Sequence, residues 1–302
     1  MSQAENWTLG RLLVWTTDFL KRHGADSPRL DAEVLLAHVR GCERIQLYTA
    51  YEEVASEESR AAFRELVKQR SQGTPVAYLV GRREFYSLSF RVTRDVLIPR
   101  PETEFVVMEV LDLIKGRAEG QRAEEQRAEE PVRIADVGTG SGAIAVSIAK
   151  HAPHARVLAI DISEPALDVA RMNIAEHQVA DRVELLHSDL LAAVPAEDRF
   201  DVIASNPPYV RACEMAELAR DVRDYEPHLA LVAGPTGMEI FERLVGEATG
   251  RLVPGGWLVM EIHPQLVQAL RDLFQSDPRW SDVGIAKDLA GLPRVIKARW
   301  KP

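Results

Sequence analysis

The chain has 302 residues, of which 46% are hydrophobic and 27% charged, and it carries a formal net charge of -9. A chain of this length buries a sizeable core, and at about 100 to 200 residues per domain it points to two domains. No uninterrupted apolar run approaches the roughly 18 residues that would span a bilayer, so no membrane helix is expected. The acidic balance disfavours a strong non-specific grip on duplex DNA, which needs Lys and Arg against several phosphates. The opening stretch MSQAENWTLGRLL has no basic start followed by an apolar run and a small-residue cleavage site, so a cytoplasmic location is expected. Cys42 and Cys213 lie far apart without metal-ligand spacing and read as unpaired packing residues.

The first 73 residues read as a small helical bundle. Thr8 precedes an apolar set at Leu9, Leu12, Leu13, Thr16, Phe19 and Leu20 that closes at Gly24. Ser27 and Pro28 form an N-cap and N1 pair, after which Leu30, Val34 and Leu35 share a face before Gly41. A third helix starts at Ser56, with Ala62, Phe63, Leu66, Val67 and Arg70 at three- and four-residue spacings, and stops at Gly73 with Pro75 beyond. Ten basic residues against eleven acidic ones give this segment a mixed surface better suited to protein than to nucleic acid.

Between residues 84 and 98 the rhythm changes. Leu88, Phe90 and Val92 alternate with polar positions, as in a half-buried strand, and a hairpin linker over residues 81–100 is expected. A helix then starts after Pro101, with Glu102 and Glu104 complementing its dipole. Residues 116–130 contain QRAEE twice in tandem and almost nothing to bury, which reads as a solvated insertion or helix extension.

From Val132 onward strand-like runs (VRIADVG, RVLAID, VELLHSD, FDVIASN, GGWLVMEI, VGIAKDL, RVIKARW) alternate with helical stretches. Alternation of this kind implies parallel strands joined by crossover helices, here one seven-stranded, mostly parallel, doubly wound α/β sheet. The expected division is a helical domain over residues 1–80, the hairpin linker, and a catalytic domain over residues 101–302.

Four loops after the strands carry the chemistry. Asp136 to Gly142 (DVGTGSG) turns from the first parallel strand into a helix, where Gly138, Gly140 and Gly142 let backbone approach a ligand, and Thr139 and Ser141 add hydroxyls. Asp161, 23 residues after Gly138, ends the second strand where a carboxylate can accept from both hydroxyls of a ribose. Asp189 and Leu190 follow the third strand and offer a carboxylate and an apolar side chain beside an adenine. Asn206-Pro207-Pro208-Tyr209 follows the fourth: two prolines fix the chain and remove two NH groups. The Asn206 side-chain oxygen and the Pro207 carbonyl are left as acceptors for the two hydrogens of an amino or amide group, with Tyr209 as a flat surface beside it.

Together the glycine loop and this quartet resemble class I methyltransferases that act on planar nitrogens. The wider pattern, GTPVAYLVG from Gly73, Glu84-Phe85, LIPRPETE from Leu97, DVGTGSGAIA from Asp136, SNPPY from Ser205, Tyr225-Glu226-Pro227 and Pro254 to Trp257, resembles the release-factor glutamine methyltransferases (PrmC/HemK). That resemblance covers nearly the whole chain. It implies a Rossmann-like fold, with S-adenosylmethionine as methyl donor and S-adenosylhomocysteine as product. Gly138, Thr139, Gly140, Ser141 and Gly142 would hold the methionine part, Asp161 the ribose, and Asp189 with Leu190 the adenine side, with Asn206 also touching the cofactor. Asn206 to Tyr209 would hold the glutamine of a release factor's Gly-Gly-Gln motif, and residues 1 to about 80 would recognise the factor's body. His263 departs from the family, which usually has glycine there, and the QRAEE repeat is an insertion.

Three other readings compete: glutamine methylation of a ribosomal protein, adenine-N6 methylation of DNA by base flipping, and a non-catalytic cofactor-binding adaptor. LIPRPETE weighs against the first, net charge against the second, and the intact quartet against the third. No metal or covalent nucleophile is expected, because the sulfonium methyl is already activated and alignment supplies on the order of 7 kcal/mol or more.

Overall fold

The computed structural model describes residues 7–121 and 131–302. It divides into two compact units, one of residues 1–82 with 219–225, the other of residues 83–218 with 226–302. The second QRAEE copy and part of the first lie outside the described residues.

The N-terminal unit contains α1 (Leu9–Arg22), α2 (Pro28–Arg40), α3 (Arg44–Thr49), α4 (Glu57–Ser71) and α5 (Val76–Val80). Thr8 caps α1 by accepting from Arg11 N at 3.3 Å, and Ser56 caps α4 by accepting from Ser59 N at 3.1 Å. Leu9, Leu13, Leu20, Leu35, Leu36, Leu47, Phe63 and Val67 form its core. The buried face of α2 is rotated from the expected one: Leu30 is exposed and Val34 half-buried, while Asp31, Ala32, Glu33, Leu35, Leu36 and Ala37 are buried. Ion pairs make this rotation tolerable, since Asp31 accepts from Arg70 at 2.7 Å and Glu33 binds Arg29, Arg44 and Tyr48. Ala62 likewise faces solvent rather than the core. Periodicity found neither α3 nor α5, whose six and five residues are too few to show a face.

The second unit opens with a hairpin of β1 (Arg82–Phe85) and β2 (Leu88–Arg91), turning at Tyr86 and Ser87 with φ of 49° and 59°. The helix expected after Pro101 begins as a single 3-10 turn, Pro101–Thr103, and continues as α6 (Glu104–Gln121). Then come β3 (Val132–Val137), α7 (Ala143–His151), β4 (Ala155–Asp161), α8 (Glu164–Glu176), β5 (Val183–His187), β6 (Phe200–Ser205) and β7 (Val210–Arg211). After α9 (Arg220–Tyr225), which belongs to the N-terminal unit, follow β8 (Val232–Gly234), α10 (Glu239–Ala248), β9 (Leu252–Glu261), α11 (Val267–Gln275), β10 (Trp280–Lys287) and β11 (Pro293–Trp300).

Seven strands form the main sheet in the order β10-β11-β9-β6-β3-β4-β5. Strands β5, β4, β3, β6 and β9 are parallel, and β11 is antiparallel to both its neighbours, β9 and β10. This is the seven-stranded, mostly parallel, Rossmann-like sheet that the alternation of strands and helices predicts. Successive strand residues alternate between two apolar layers. Ile134, Val157, Ala159, Val202, Ala204 and Val259 join one layer with residues of α6 and α7; Ala135, Ile160, Ile203, Leu258 and Met260 join the other with residues of α10 and α11. Both faces are therefore covered, which is why these strands read as continuous hydrophobic runs. Because the chain leaves β3 for β4 and β5 and returns to β6 on the other side, a crevice opens at the carboxyl ends of β3 and β6. Among the described residues no helix is long and apolar enough to cross a membrane. Both cysteines are free; Cys42 packs against the helical core, but Cys213 is exposed and so is no packing residue.

Candidate methyl-transfer site

Register brings the four predicted loops to one edge. Val137 pairs with Ile160 on one side and with Ser205 on the other, and Asp161 pairs with His187. The glycine loop, Asp161, Asp189 and Asn206 thus start from neighbouring strand ends.

The glycine loop is held by its own backbone. Gly138 N and Thr139 N donate to Ile160 O at 2.8 and 2.9 Å, and Gly142 N donates to Thr139 O at 2.8 Å. Gly138, Gly140 and Gly142 have φ of 75°, 55° and 81°, a region costly to residues with a Cβ. Beneath the loop, Asp136 is fully buried; its Oδ2 accepts from Thr139 Oγ1 at 2.6 Å and Ala145 N at 3.0 Å, and its Oδ1 has no hydrogen-bond partner among the described residues. Burial pushes this carboxyl up to about 7. Asn173 clamps the loop from α8, donating to Ser141 O at 2.7 Å and Arg91 O at 3.0 Å while accepting from Arg91 N at 2.7 Å.

The loops enclose a cleft of ≈ 270 Å³. Gly138, Thr139, Gly140, Ser141, Asp161, Asp189, Leu190, Asn206 and Pro208 line it, whereas Gly142, Pro207 and Tyr209 do not. Gly142 instead starts α7, and a Cβ there would meet Ala170 at 3.4 Å. Asp161 accepts from Gly140 N at 2.8 Å and Ser163 N at 2.9 Å, which fixes its carboxylate at the edge of the cleft. Asp189 is paired with Arg243 at 2.9 Å, a partner on α10 that no local pattern announces.

Glycines free of side chains, a carboxylate at the second strand and apolar flanks at Ile144, Ile162 and Leu190 match what a nucleoside with an amino-acid tail requires. Residues S-adenosylmethionine would need are therefore present at one cleft.

Beside the cleft stands the quartet. Ser205 Oγ donates to Val137 O at 2.7 Å and locks the end of β6 to β3. Asn206 Nδ2 donates to Thr103 Oγ1 at 3.0 Å, and Thr103 Oγ1 donates to Glu261 Oε2 at 2.5 Å. Tyr209 lies mostly buried with its hydroxyl pushed up to about 12 by desolvation, and its ring packs on His263 at 5.9 Å between centroids. Desolvation also lowers the His263 imidazole below its usual range. From the strap before α6, Asp95, Val96, Leu97 and Pro99 form one wall, and Pro227, Leu229 and Ala230 another. Glu226 joins those walls, accepting from Ile98 N at 3.2 Å and from the Arg100 guanidinium. In the sequence LIPRPETE and Tyr-Glu-Pro carry only a resemblance; their part as cleft walls depends on contacts 126 and 128 residues apart. Among the described residues no group of three His, Cys, Asp or Glu side chains stands ready for a metal.

The chain is similar to known proteins over nearly its whole length. The PrmC N-terminal domain matches residues 11–81, and the methyltransferase small domain matches residues 124–222. The release factor glutamine methyltransferase of Rhodopirellula baltica is 49% identical over 290 residues, covering 96% of this chain and 95% of that protein. Its counterpart in Chlorobaculum tepidum is 41% identical over 299 residues, 98% of both. Among solved structures, the hMettl16 catalytic domain in complex with MAT2A 3'UTR hairpin 6 superposes with a TM-score of 0.55 at 15% identity, over 78% of this chain and 82% of that one, a likeness of fold. On these full-length similarities the chain belongs to the release factor glutamine methyltransferase family.

Proposed function

We propose that this protein transfers a methyl group from S-adenosylmethionine to the side-chain amide nitrogen of the glutamine in the Gly-Gly-Gln motif of peptide chain release factors, in the cytoplasm and without DNA as a partner. The observation that carries the chemistry is the anchored Asn206 amide: one N–H of its Nδ2 donates to Thr103, which fixes the amide plane and leaves Oδ1 as the side chain's acceptor for a substrate N–H. An amide nitrogen is a poor nucleophile because its lone pair is delocalised. Acceptance of its two hydrogens by Asn206 Oδ1 and the Pro207 carbonyl orients the nitrogen and favours a more pyramidal form. Pro207 and Pro208 hold that carbonyl without competing NH groups, and Tyr209, braced by His263, supports the loop. Bound S-adenosylmethionine supplies an activated methyl on a sulfonium. Gly138 to Ser141 and Asp161 would hold its methionine and ribose parts, and Leu190 with Asp189 its adenine. Once the nitrogen has acquired the methyl and a positive charge its proton is strongly acidic, so water suffices as acceptor. Residues 1–80 provide the recognition surface for the body of the factor.

The test is mass spectrometry of purified release factor after incubation with the protein and S-adenosylmethionine. A single methyl gain on the Gly-Gly-Gln peptide, abolished by Asn206→Ala with cofactor binding retained, is the expected outcome. Methylation of a ribosomal protein or of DNA adenine in its place would refute the substrate assignment.

A further inference from the structure

Glu261 is a buried carboxylate, 4% exposed, at the end of β9, and it takes part in no ion pair among the described residues. Its partner is Thr103, itself buried in the turn before α6, which donates to it at 2.5 Å. A carboxylate desolvated without a cation is costly, and an apolar residue would end the strand more cheaply. What Glu261 achieves is directional. A hydroxyl has one proton, and Thr103 gives it to Glu261, so toward Asn206 the same oxygen can only accept. The side-chain amide of Asn206 is thereby held with Nδ2 on Thr103 at 3.0 Å. Rotated by half a turn, it would present NH₂ to the NH₂ of a substrate amide, donor against donor, and no bond would form.

We infer that Thr103 and Glu261 are positioning residues that set the orientation of the Asn206 amide, and with it the preference for a substrate nitrogen carrying two hydrogens. This rests on the reading of Asn206 given above. Parallel pairing of Ser205 with Met260 places Asn206 and Glu261 one residue beyond the same register point on adjacent strands, so the chain of hydrogen bonds is built by the sheet itself. The charged and titratable groups acting on Glu261 are Glu102, Arg294, Arg100 and Tyr209; burial outweighs the two arginines and pushes its carboxyl up to about 7. Protonated Glu261 donates to Thr103, whose own proton then turns toward Asn206 and favours the inverted amide. Turnover therefore falls on the acid side of that range.

The experiment is steady-state methylation of a release factor by the full-length protein from pH 5.5 to 9, with cofactor affinity measured by calorimetry. Thr103→Val, which keeps shape and removes the hydroxyl, is expected to lower kcat about tenfold or more with cofactor affinity unchanged. Thr103→Ser is expected to restore kcat to within about threefold of wild type, and Glu261→Gln to lose the acid limb. Wild-type kcat in Thr103→Val, no rescue by serine, or an acid limb that survives Glu261→Gln overturns the inference. Thermal unfolding of each variant separates misfolding from misorientation, and if Thr103→Val fails to fold the Glu261→Gln profile decides. Asn206→Ala distinguishes the two levels: full activity there refutes the reading of the site, whereas an inactive Asn206→Ala beside a fully active Thr103→Val refutes the relay alone.

Discussion

Replacing Glu226 with Ala removes the side chain that joins two walls of the cleft. Its carboxylate is 1% exposed and takes the Ile98 N–H at 3.2 Å together with the Arg100 guanidinium, whose side chain is 32% exposed. Breaking a buried pair costs about 3 to 5 kcal/mol when the orphaned charge stays buried. Arg100 can swing toward water, which reduces that cost, while the buried Ile98 N–H left without an acceptor adds about 1 to 3 kcal/mol. A loss of about 3 kcal/mol is expected, or a fall in midpoint of roughly 6 to 12 °C for a unit of this size. Glu226→Gln keeps an acceptor for Ile98 and loses only charge assistance, so about half that loss is expected. Calorimetric unfolding measures both, and titration with S-adenosylmethionine measures the weakening of affinity that follows when the walls formed by Leu97 and Pro99 and by Pro227 and Leu229 come apart. An alanine variant with wild-type midpoint and affinity would show that the walls are held by packing, and the reasoning would fail.

Asp161→Asn should weaken cofactor binding about tenfold or more while kcat at saturation stays within twofold, read by calorimetry and initial rates, because one oxygen acceptor is replaced by a donor facing the loop. Asp136 titrates at about 7 in the folded chain, above its unfolded value, so the stability it contributes is present at pH below 4 and lost as pH rises through 7. Asp136→Asn should therefore gain stability relative to wild type between pH 5 and 8 in denaturant titrations; a constant difference would contradict the assignment. His263→Gly removes the ring packed on Tyr209 and should lower kcat/KM for the release factor severalfold with cofactor affinity unchanged; equal kcat/KM would leave His263 without a part in substrate binding.

Much of the molecule is legible before folding because it is written in local chemistry. Apolar runs from Val132 onward follow from a sheet covered on both faces, and each produces a strand at the expected place. Ser27 stands before Pro28 at the start of α2 as read, but its side chain makes no capping bond; Thr8 and Ser56, read only as helix starts, are the side chains that cap, each within three residues. Gly138, Gly140 and Gly142 announce a turn that only glycine makes easily, and Asn206 to Tyr209 announces a rigid row of acceptors. Short elements such as α3 and α5 escape because five or six residues carry no period, and the face of α2 is misjudged because Asp31 and Glu33 are buried by partners elsewhere in the chain. Glu226, Thr103 and Glu261 escape for the same reason. Local sequence determines which backbone shapes and donor types are available; it carries no distance between Asn206 and Thr103, 103 residues apart, or between Thr103 and Glu261, 158 apart. Only the tertiary structure, by pairing β6 with β9 and placing the turn before α6 against their ends, decides that the Asn206 amide donates to Thr103 and that Thr103 donates to Glu261.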